Sequence, residues 1–365
     1  MRNVLVTGGA GFIGSNFVRY LLRAEPEVQV TNLDALTYSG SLENLKELPN
    51  TDHYHFIKGN ICDASLVGQL LREHEIDTVI HFAAETHVDR SILGPEQFVQ
   101  SNIIGTFTLL EAVRQIWLQD SGIAKGELRF HHVSTDEVFG SLAPGEAAWT
   151  EESPYAPNSP YAASKAASDH LVRSYGHTYG LPYTLTNCTN NYGPYQFPEK
   201  LIPLVILNAM EGKPLPVYGD GQQVRDWLHV EDHCEAIWLV LKQGRPGSSY
   251  NIGGGNQPAN LDIVETICDI LDDPAIQFGA GRQPDSKNAP HKQLIHFVKD
   301  RPGHDRRYAM NIQKIKQELG WQPRHSMAQG LRDTVMWYLA HPAWVSAIQH
   351  RKEYTDWLDE NYTRR

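Results

Sequence analysis

The chain has 365 residues, a formal charge of −11, 41 % hydrophobic residues and 21 % charged ones. That composition supports the packed core of one large α/β domain with a smaller second one and argues against disorder. The acidic balance argues against nucleic acid as a partner, and no run of about 18 apolar residues is present to cross a membrane.

Cys62, Cys188, Cys234 and Cys268 are too scattered for a zinc site or a disulfide framework, so no metal is expected and a reducing cytoplasm is. The chain runs directly into a strand, leaving no room for a signal peptide before its first glycines. NVLVTGGAGFIGSNFVRYLL predicts a short strand, a glycine turn and an amphipathic helix. Gly8, Gly11 and Gly14 permit a tight turn and close backbone approach, so that a pyrophosphate can rest on the helix N-terminus. Their place between strand and helix favours a dinucleotide fingerprint over a mere tight turn. A second strand, VQVTNLDAL, ends on Asp34, twenty residues after Gly14. A carboxylate there accepts from ribose hydroxyls and repels a 2′-phosphate, which favours NAD over NADP.

HYHFIKGNICD predicts a third strand leading to Asn60 and Ile61, placed to meet an adenine edge. DTVIHFAAETHVDRSI predicts a fourth strand and a loop, where the small residues Ala83 and Ala84 would let a cofactor lie close to the backbone. The polar cluster Glu85, Thr86, His87, Asp89 and Arg90 has two readings, a loop facing substrate and cofactor or a solvated turn. PEQFVQSNIIGTFTLLEAVRQIW and YAASKAASDHLVRSYGHTYG predict two long helices. They form either half of a four-helix dimer interface or a layer packed only onto the sheet.

Between those helices LRFHHVS predicts the fifth strand, which delivers Ser134, Thr135, Asp136 and Glu137 to its carboxyl end, where open α/β sheets bind ligands. Tyr161 and Lys165 are four apart, so a helix places them on one face. A cation beside a phenol is expected to lower its pKa from about 10 toward neutrality, making Tyr161 a base toward a sugar or alcohol hydroxyl. Asp136 and Glu137 would supply a separate acid/base function. PYTLTNCTNNYGP predicts a sixth strand, after which the strand–helix alternation loosens. Residues 1–190 are therefore expected to form a Rossmann-type doubly wound parallel sheet, and residues 191–365 a smaller mixed α/β lobe that returns some elements to the first domain. In that lobe Lys200, Arg225, Arg301, Arg306 and Arg307 are candidates to hold a diphosphate. HPAWVSAIQHRKEYTDWLDENYTRR predicts a C-terminal helix rich in aromatics.

GGAGFIG, Asp34 and the Tyr161–Lys165 pair together resemble the extended short-chain dehydrogenase/reductase family. Further blocks, STDEVFG, FAAETHVDRSI, TNNYGPYQFPEKLIPL, GKPLPVYGDGQQVRDWLHVEDH, YNIGG and DRPGHDRRYA, are similar in order and over nearly the whole chain to the dTDP-glucose 4,6-dehydratases. The resemblance implies a cytoplasmic homodimer, paired through a four-helix bundle, that uses NAD and converts dTDP-glucose to dTDP-4-keto-6-deoxyglucose and water. It implies that Tyr161 takes the 4-hydroxyl proton, Lys165 binds the nicotinamide ribose, and Thr135 bonds the 4-hydroxyl. It further implies that Asp136 protonates the departing 6-hydroxyl and that Glu137 is the base at C5. Phe12, Ile13, Asp34, Thr37, Asn60, Ile61, Ala83, Ala84 and Asn191 match cofactor-contacting positions. Thr86, His87, Asn190, Lys200, Leu201, Pro216, Tyr218, Arg225, Asn260, Arg301 and His304 match positions around the nucleotide-sugar. Two residues depart from the family pattern: Phe139 replaces a tyrosine, removing a phenol near the site, and Asn60 replaces an aspartate while keeping an acceptor oxygen. The alternatives are a dehydratase for another nucleotide-sugar, and a 4-epimerase or simple dehydrogenase, which would have no use for both carboxylates. A non-enzymatic NAD-binding regulator would be expected to lack Tyr161 or Lys165.

Overall fold

Every residue of TVIH, RFHHVST and YTLTNC is buried, as is all of NVLVT after its asparagine. Strands buried on both faces belong to a parallel sheet covered by helices. The computed structural model describes residues 1–120, 127–276 and 290–358. In chain order the strands are β1 (Asn3–Thr7), β2 (Gln29–Asp34), β3 (Tyr54–Lys58), β4 (Thr78–His81), β5 (Arg129–Thr135) and β6 (Tyr183–Cys188). They continue with β7 (Asn190–Tyr192), β8 (Leu215–Tyr218), β9 (Trp227–His229), β10 (Ser248–Ile252) and β11 (Ile295–Val298). Seven form one sheet in the order β10-β6-β5-β4-β1-β2-β3, with every pair parallel. This is the doubly wound Rossmann order extended by one strand, and its switch point lies between β1 and β4. β8 pairs with β11 and β7 with β9 in two small parallel ladders.

The helices are α1 (Phe12–Ala24), α2 (Ala64–Glu73), α3 (Val88–Leu93), α4 (Pro95–Phe98), α5 (Gly105–Val113), α6 (Pro160–Tyr179) and α7 (Leu201–Met210). The rest are α8 (Val230–Gln243), α9 (Asn260–Leu271), α10 (Gln313–Leu319), α11 (Met327–Ala340), α12 (Pro342–Gln349) and α13 (Lys352–Leu358). Alternating side chains of β1 serve two cores. Val4 and Val6 pack with Phe17, Leu21 and Ile237 from α1 and α8, while Leu5 packs with Val67, Leu71 and Leu109 from α2 and α5. A third core holds α7, α9, α11 and α12 together.

Three predicted elements differ in detail. The stretch after β4 contains a helix, α3, where the sequence predicts only a loop. The long helix predicted from Pro95 passes through two π-helical segments, Val99–Ile104 and Arg114–Gln119. The predicted C-terminal helix breaks into α12 and α13. At the break Arg351 donates to the carbonyls of Gly40 (2.9 Å) and Thr37 (3.3 Å), contacts far away in sequence. The last residues of that segment, 359–365, lie outside the described residues. α11, just before it, has no counterpart in the sequence reading.

Candidate active site

The glycine turn takes the form its spacing predicts. Gly8 has φ +76°, and a Cβ there would lie 2.6 Å from the Ala83 amide nitrogen, so the turn needs both the left-handed backbone and the missing side chain. Gly11 is the N-cap of α1 and no side chain caps the helix. Its first amides therefore point into the cleft with nothing from the chain's side chains to answer them, a ready site for an anion. A methyl on Gly14 would sit 2.3 Å from the Gly8 carbonyl oxygen. Gly14→Ala is expected to cost about 1–3 kcal/mol by overpacking, read as a lower melting temperature together with weaker dinucleotide binding. At the end of β2, Asp34 accepts from the amides of Ala10 (2.8 Å) and Leu36 (2.7 Å), which orient its carboxylate. The glycine cradle, uncapped helix and buried acceptor fit a dinucleotide.

One cleft crosses the carboxyl ends of β1, β2, β4, β5 and β6. Gly8, Gly11, Phe12, Ile13, Gly14, Asp34, Thr37, Asn60, Ile61, Ala83 and Ala84 line one stretch of it. Thr86, Thr135, Asp136, Glu137, Tyr161, Lys165, Asn190, Asn191 and Lys200 line the rest. Ser159 caps α6, its hydroxyl accepting the Ala162 amide at 3.1 Å, with Pro160 at the first helical position; Tyr161 thus enters the cleft on the first turn.

The two carboxylates at the end of β5 occupy different environments. Asp136 is buried and its pKa is raised well above the carboxylate range, first by loss of hydration and then by the charge of Glu137. Its Oδ1 accepts the Thr135 hydroxyl at 3.2 Å, while Oδ2 has no partner. Burial also raises Glu137, but Arg301, Lys200 and Arg225 pull it back. The geometry therefore favours a protonated Asp136 beside an ionised Glu137.

Tyr161 differs from the sequence expectation. Burial pushes its phenol well above 10, Glu137 adds to this, and a hydrogen bond with Thr135 only partly offsets it. The shift stays upward although Lys165 lies on the same helix face, its ammonium donating to the Val133 carbonyl at 2.9 Å.

Among the substrate candidates outside the cleft lining, Arg225 is buried and Arg301 half-buried, both close enough to Glu137 to stabilise its charge. Asp89 on α3 ties Arg301 (3.5 Å) and the Tyr218 hydroxyl (3.0 Å) together. His304 packs edge-on to Tyr218 and meets Asp300 at 2.6 Å. His87 is the N-cap of α3, Leu201 opens α7, Pro216 lies on β8 and Asn260 opens α9. Buried Asn190 Oδ1, Asn260 Oδ1 and Arg301 Nε have no partner, as befits atoms that await a ligand. Arg306 and Arg307, by contrast, are spent elsewhere. Arg306 forks onto exposed Asp220, and Arg307 donates to the Glu146 carbonyl and the Gln257 side chain.

The polar cluster after β4 is not a solvated turn: His87 and Asp89 are buried, and Glu85 lines the cleft. Phe139 stands outside the cleft lining, stacked on Trp149 at 5.6 Å and edge-on to Tyr155 at 5.1 Å. Asn60 lines the cleft, and its Oδ1 accepts the Cys62 amide at 2.9 Å. Both side-chain ends of Asn191 are engaged within the fold, by the Thr189 carbonyl and His233. His229, Glu231 and His325 bring ligand-capable atoms within 4.8 Å of one another. In them His229 Nδ1 accepts the Glu231 amide as helix cap and His325 pairs with Asp232, so the trio reads as a helix-capping arrangement.

Sequence reasoning missed Asn102. From the first π-helical segment it bonds the Glu85 amide (2.8 Å) and carbonyl (3.0 Å) and the Ser164 hydroxyl (2.8 Å), joining the cofactor-side loop to the helix of Tyr161 and Lys165. The 3.6-residue pattern contains no signal for a π-helical turn.

Residues 5–334 match the family model described as GDP-mannose 4,6 dehydratase. The chain belongs to this dehydratase family. Its fold is that of the extended short-chain dehydrogenase/reductases. A dTDP-glucose 4,6-dehydratase of Xanthomonas campestris is 55 % identical over 349 residues, 95 % of this chain and 96 % of that one. The structure of the dTDP-glucose 4,6-dehydratase of Streptomyces venezuelae, solved with NAD bound, superposes with a TM-score of 0.83 at 46 % identity, covering 95 % of this chain and 99 % of its own. That of Bacillus anthracis, also with NAD, gives 0.82 at 45 % identity, covering 95 % and 100 %. Each of these three relatives matches 95 % of the present chain.

Proposed function

We propose that the chain is an NAD-dependent hydro-lyase, a dTDP-glucose 4,6-dehydratase, and that the cleft is its active site. The observation that supports this most directly is the pair of adjacent carboxyls beside Tyr161, Asp136 raised by burial and by Glu137, and Glu137 with three cations countering its burial. Proton abstraction next to a carbonyl with loss of a β-hydroxyl needs such a pair; a 4-epimerase or simple dehydrogenase does not. The thymine preference rests on the names of the relatives.

NAD, when bound, supplies the hydride acceptor for C4 and the hydride donor for C6, ending as it began. Gly8, Gly11, Phe12, Ile13 and Gly14 would hold its pyrophosphate, Asp34 its adenosine ribose, Asn60 and Ile61 its adenine, and Lys165 its nicotinamide ribose. Thr37, Ala83, Ala84 and Asn191 complete the cofactor side. Thr135 orients the 4-hydroxyl of the sugar while Tyr161 accepts its proton. Once C4 is a ketone the C5 proton is acidic, and Glu137 removes it. Asp136 gives its proton to the 6-hydroxyl, which departs as water, and a proton later returns to C5. Arg225, Arg301 and Lys200 face the anionic end of the substrate. Thr86, His87, Asn190, Leu201, Pro216, Tyr218, Asn260 and His304 shape the remainder of its site.

Residues 1–190 serve as the NAD-binding domain and residues 191–365 mainly as the nucleotide-sugar lobe; in support, β10 and α8 return to the sheet and core of the first. The molecule works as a cytoplasmic homodimer through a four-helix bundle. In support, Val99, Ile104, Phe107 and Leu118 along the long helix and Tyr179 on α6 are large apolar side chains left exposed. The four cysteines are free, as a reducing compartment requires, and no helix among the described residues is long and apolar enough to cross a membrane.

The test is purified protein with dTDP-glucose in deuterated water and no added NAD, read by mass spectrometry and proton NMR. Loss of one water, deuterium at C5 and a new 6-methyl signal are expected. An unchanged hexose mass with inversion at C4 would mean an epimerase. UDP-, CDP- and GDP-glucose in parallel decide the base.

A further inference from the structure

Lys165 also meets a polar cluster that the roles above leave unused. Asp169 lies one helical turn beyond it on α6 and is fully buried. Its Oδ2 accepts the hydroxyls of Ser134 and Tyr155, each at 2.8 Å, and approaches Asn187 Nδ2 at 3.4 Å. Its Oδ1 lies 3.2 Å from His132 Nε2, which in turn is 3.5 Å from Lys165 Nζ. Both contacts fall on one ring nitrogen, so the carboxylate of α6 and the ammonium of Lys165 gather around His132 Nε2 of β5, which can donate to the first or accept from the second but not both. An ammonium this dry is costly unless an anion answers it.

The other groups facing the cluster do not answer it. His81, on β4, has its ring 5.2 Å from that of His132 and is kept neutral by burial. Cys188, on β6, is a thiol pushed far up by burial. Tyr155 is likewise raised, and Arg173, over the Tyr155 ring, is a further cation. Asp136 and Glu137, at the end of β5, and Tyr161, on α6, face the reacting side of the cleft. His132 itself is pushed down to about 4 by burial and by Lys165, so it does not cancel the carboxylate. Hydrogen bonds from His132 and Ser134 and the charge of Lys165 hold Asp169 below the usual carboxylate range despite its burial, and Asp169 is the first influence that raises Lys165 against the effect of burial.

We propose that Asp169 is a positioning residue, the fixed counter-charge that keeps Lys165 an ammonium at its place in the cleft. The inference rests on the catalytic reading of Lys165. It goes beyond packing, because a carboxylate needed only to join β5 to α6 would be replaceable by an amide of the same shape. Without the negative charge Lys165 would lose its proton at lower pH, and Tyr161 would lose the cation that helps it ionise.

The test compares Asp169→Asn and Asp169→Glu with the parent protein by kcat against pH. A second readout is independent of turnover: the titration of the Lys165 ¹³Cε signal in lysine-labelled protein, assigned by its loss in Lys165→Met. Asp169→Asn is expected to move the Lys165 midpoint down by about one pH unit, a tenfold change in the proton equilibrium, with kcat lost first at the alkaline end. Asp169→Glu should restore most of it. A fall in kcat equal at every pH, with an unmoved Lys165 titration, would overturn the proposal. If the parent protein shows no dehydration but Asp169→Asn still shifts the Lys165 signal, the pairing stands and the catalytic reading fails. Should Asp169→Asn not fold, Ser134→Ala and Tyr155→Phe strip donors from the carboxylate without removing it. They should then raise the acid-side inflection that protonation of Asp169 imposes on the Lys165 ¹³Cε signal, and an unmoved inflection in both would also overturn the proposal.

Discussion

Glu137→Gln is expected to lower dehydration of dTDP-glucose by about 10²–10⁴-fold, the range for losing a positioned general base, with little change in fold. The amide keeps the shape of the carboxyl but cannot take the C5 proton. In deuterated water the variant should therefore fail to wash deuterium into C5, whereas the parent protein does so in its product. Asp136→Asn is its counterpart. It should lose water elimination to a similar degree while C5 exchange continues, because the base is intact and only the proton for the 6-hydroxyl is gone. Exchange at C5 at the parent rate in Glu137→Gln would place the base elsewhere. The two environments also predict a two-sided pH profile. Burial and the charge of Glu137 raise Asp136, so turnover falls as pH rises through that elevated pKa and the acid is lost. Arg301, Lys200 and Arg225 work against the burial of Glu137, so turnover falls again as pH drops through its pKa and the base is lost. The apparent values belong to the pair.

Tyr161→Phe is expected to be as damaging, by about 10²–10⁴-fold, but at an earlier stage. Without an acceptor for the 4-hydroxyl proton no ketone forms, so C5 exchange and water loss should vanish together. The phenylalanine ring keeps the edge-on contact with Phe98 at 6.3 Å, so the protein should melt near the parent temperature. Because burial raises the phenol, ketone formation should quicken with rising pH, read as the C5 exchange rate in Asp136→Asn, where loss of the acid does not limit it. The relevant measurement is that rate against pH with sugar NMR at each point. Residual C5 exchange in Tyr161→Phe comparable to the parent would show that another group accepts that proton.

The strands and the glycine turn were legible because each is a local requirement. NVLVT needs burial on both faces, Gly8 needs a left-handed backbone, and the Ser159–Pro160 start of α6 caps itself. The same locality explains why Thr135, Asp136 and Glu137 could be placed at a strand's carboxyl end and Tyr161 above Lys165 on a helix. The basic residues were harder. Lys200, Arg225 and Arg301 turn toward the carboxylates whereas Arg306 and Arg307 turn away, and nothing in their spacing separates the two groups. Which way each points depends on Asp89, Asp220 and Gln257, partners brought up from distant parts of the chain.

The sequence by itself determined the doubly wound sheet, the dinucleotide turn and the identity of the groups at the reacting end, since those follow from periodicity and short-range sterics. Only the tertiary structure decided their charge states. Burial raises Tyr161 where the adjacent lysine predicted the reverse, and Arg301, Lys200 and Arg225 counter the burial of Glu137, whose charge in turn raises Asp136. It also brought Asn102 and His132 to the helix of Tyr161 and Lys165. The reason is physical: desolvation and charge–charge energies depend on what surrounds a group in space, and most of those neighbours are far from it along the chain.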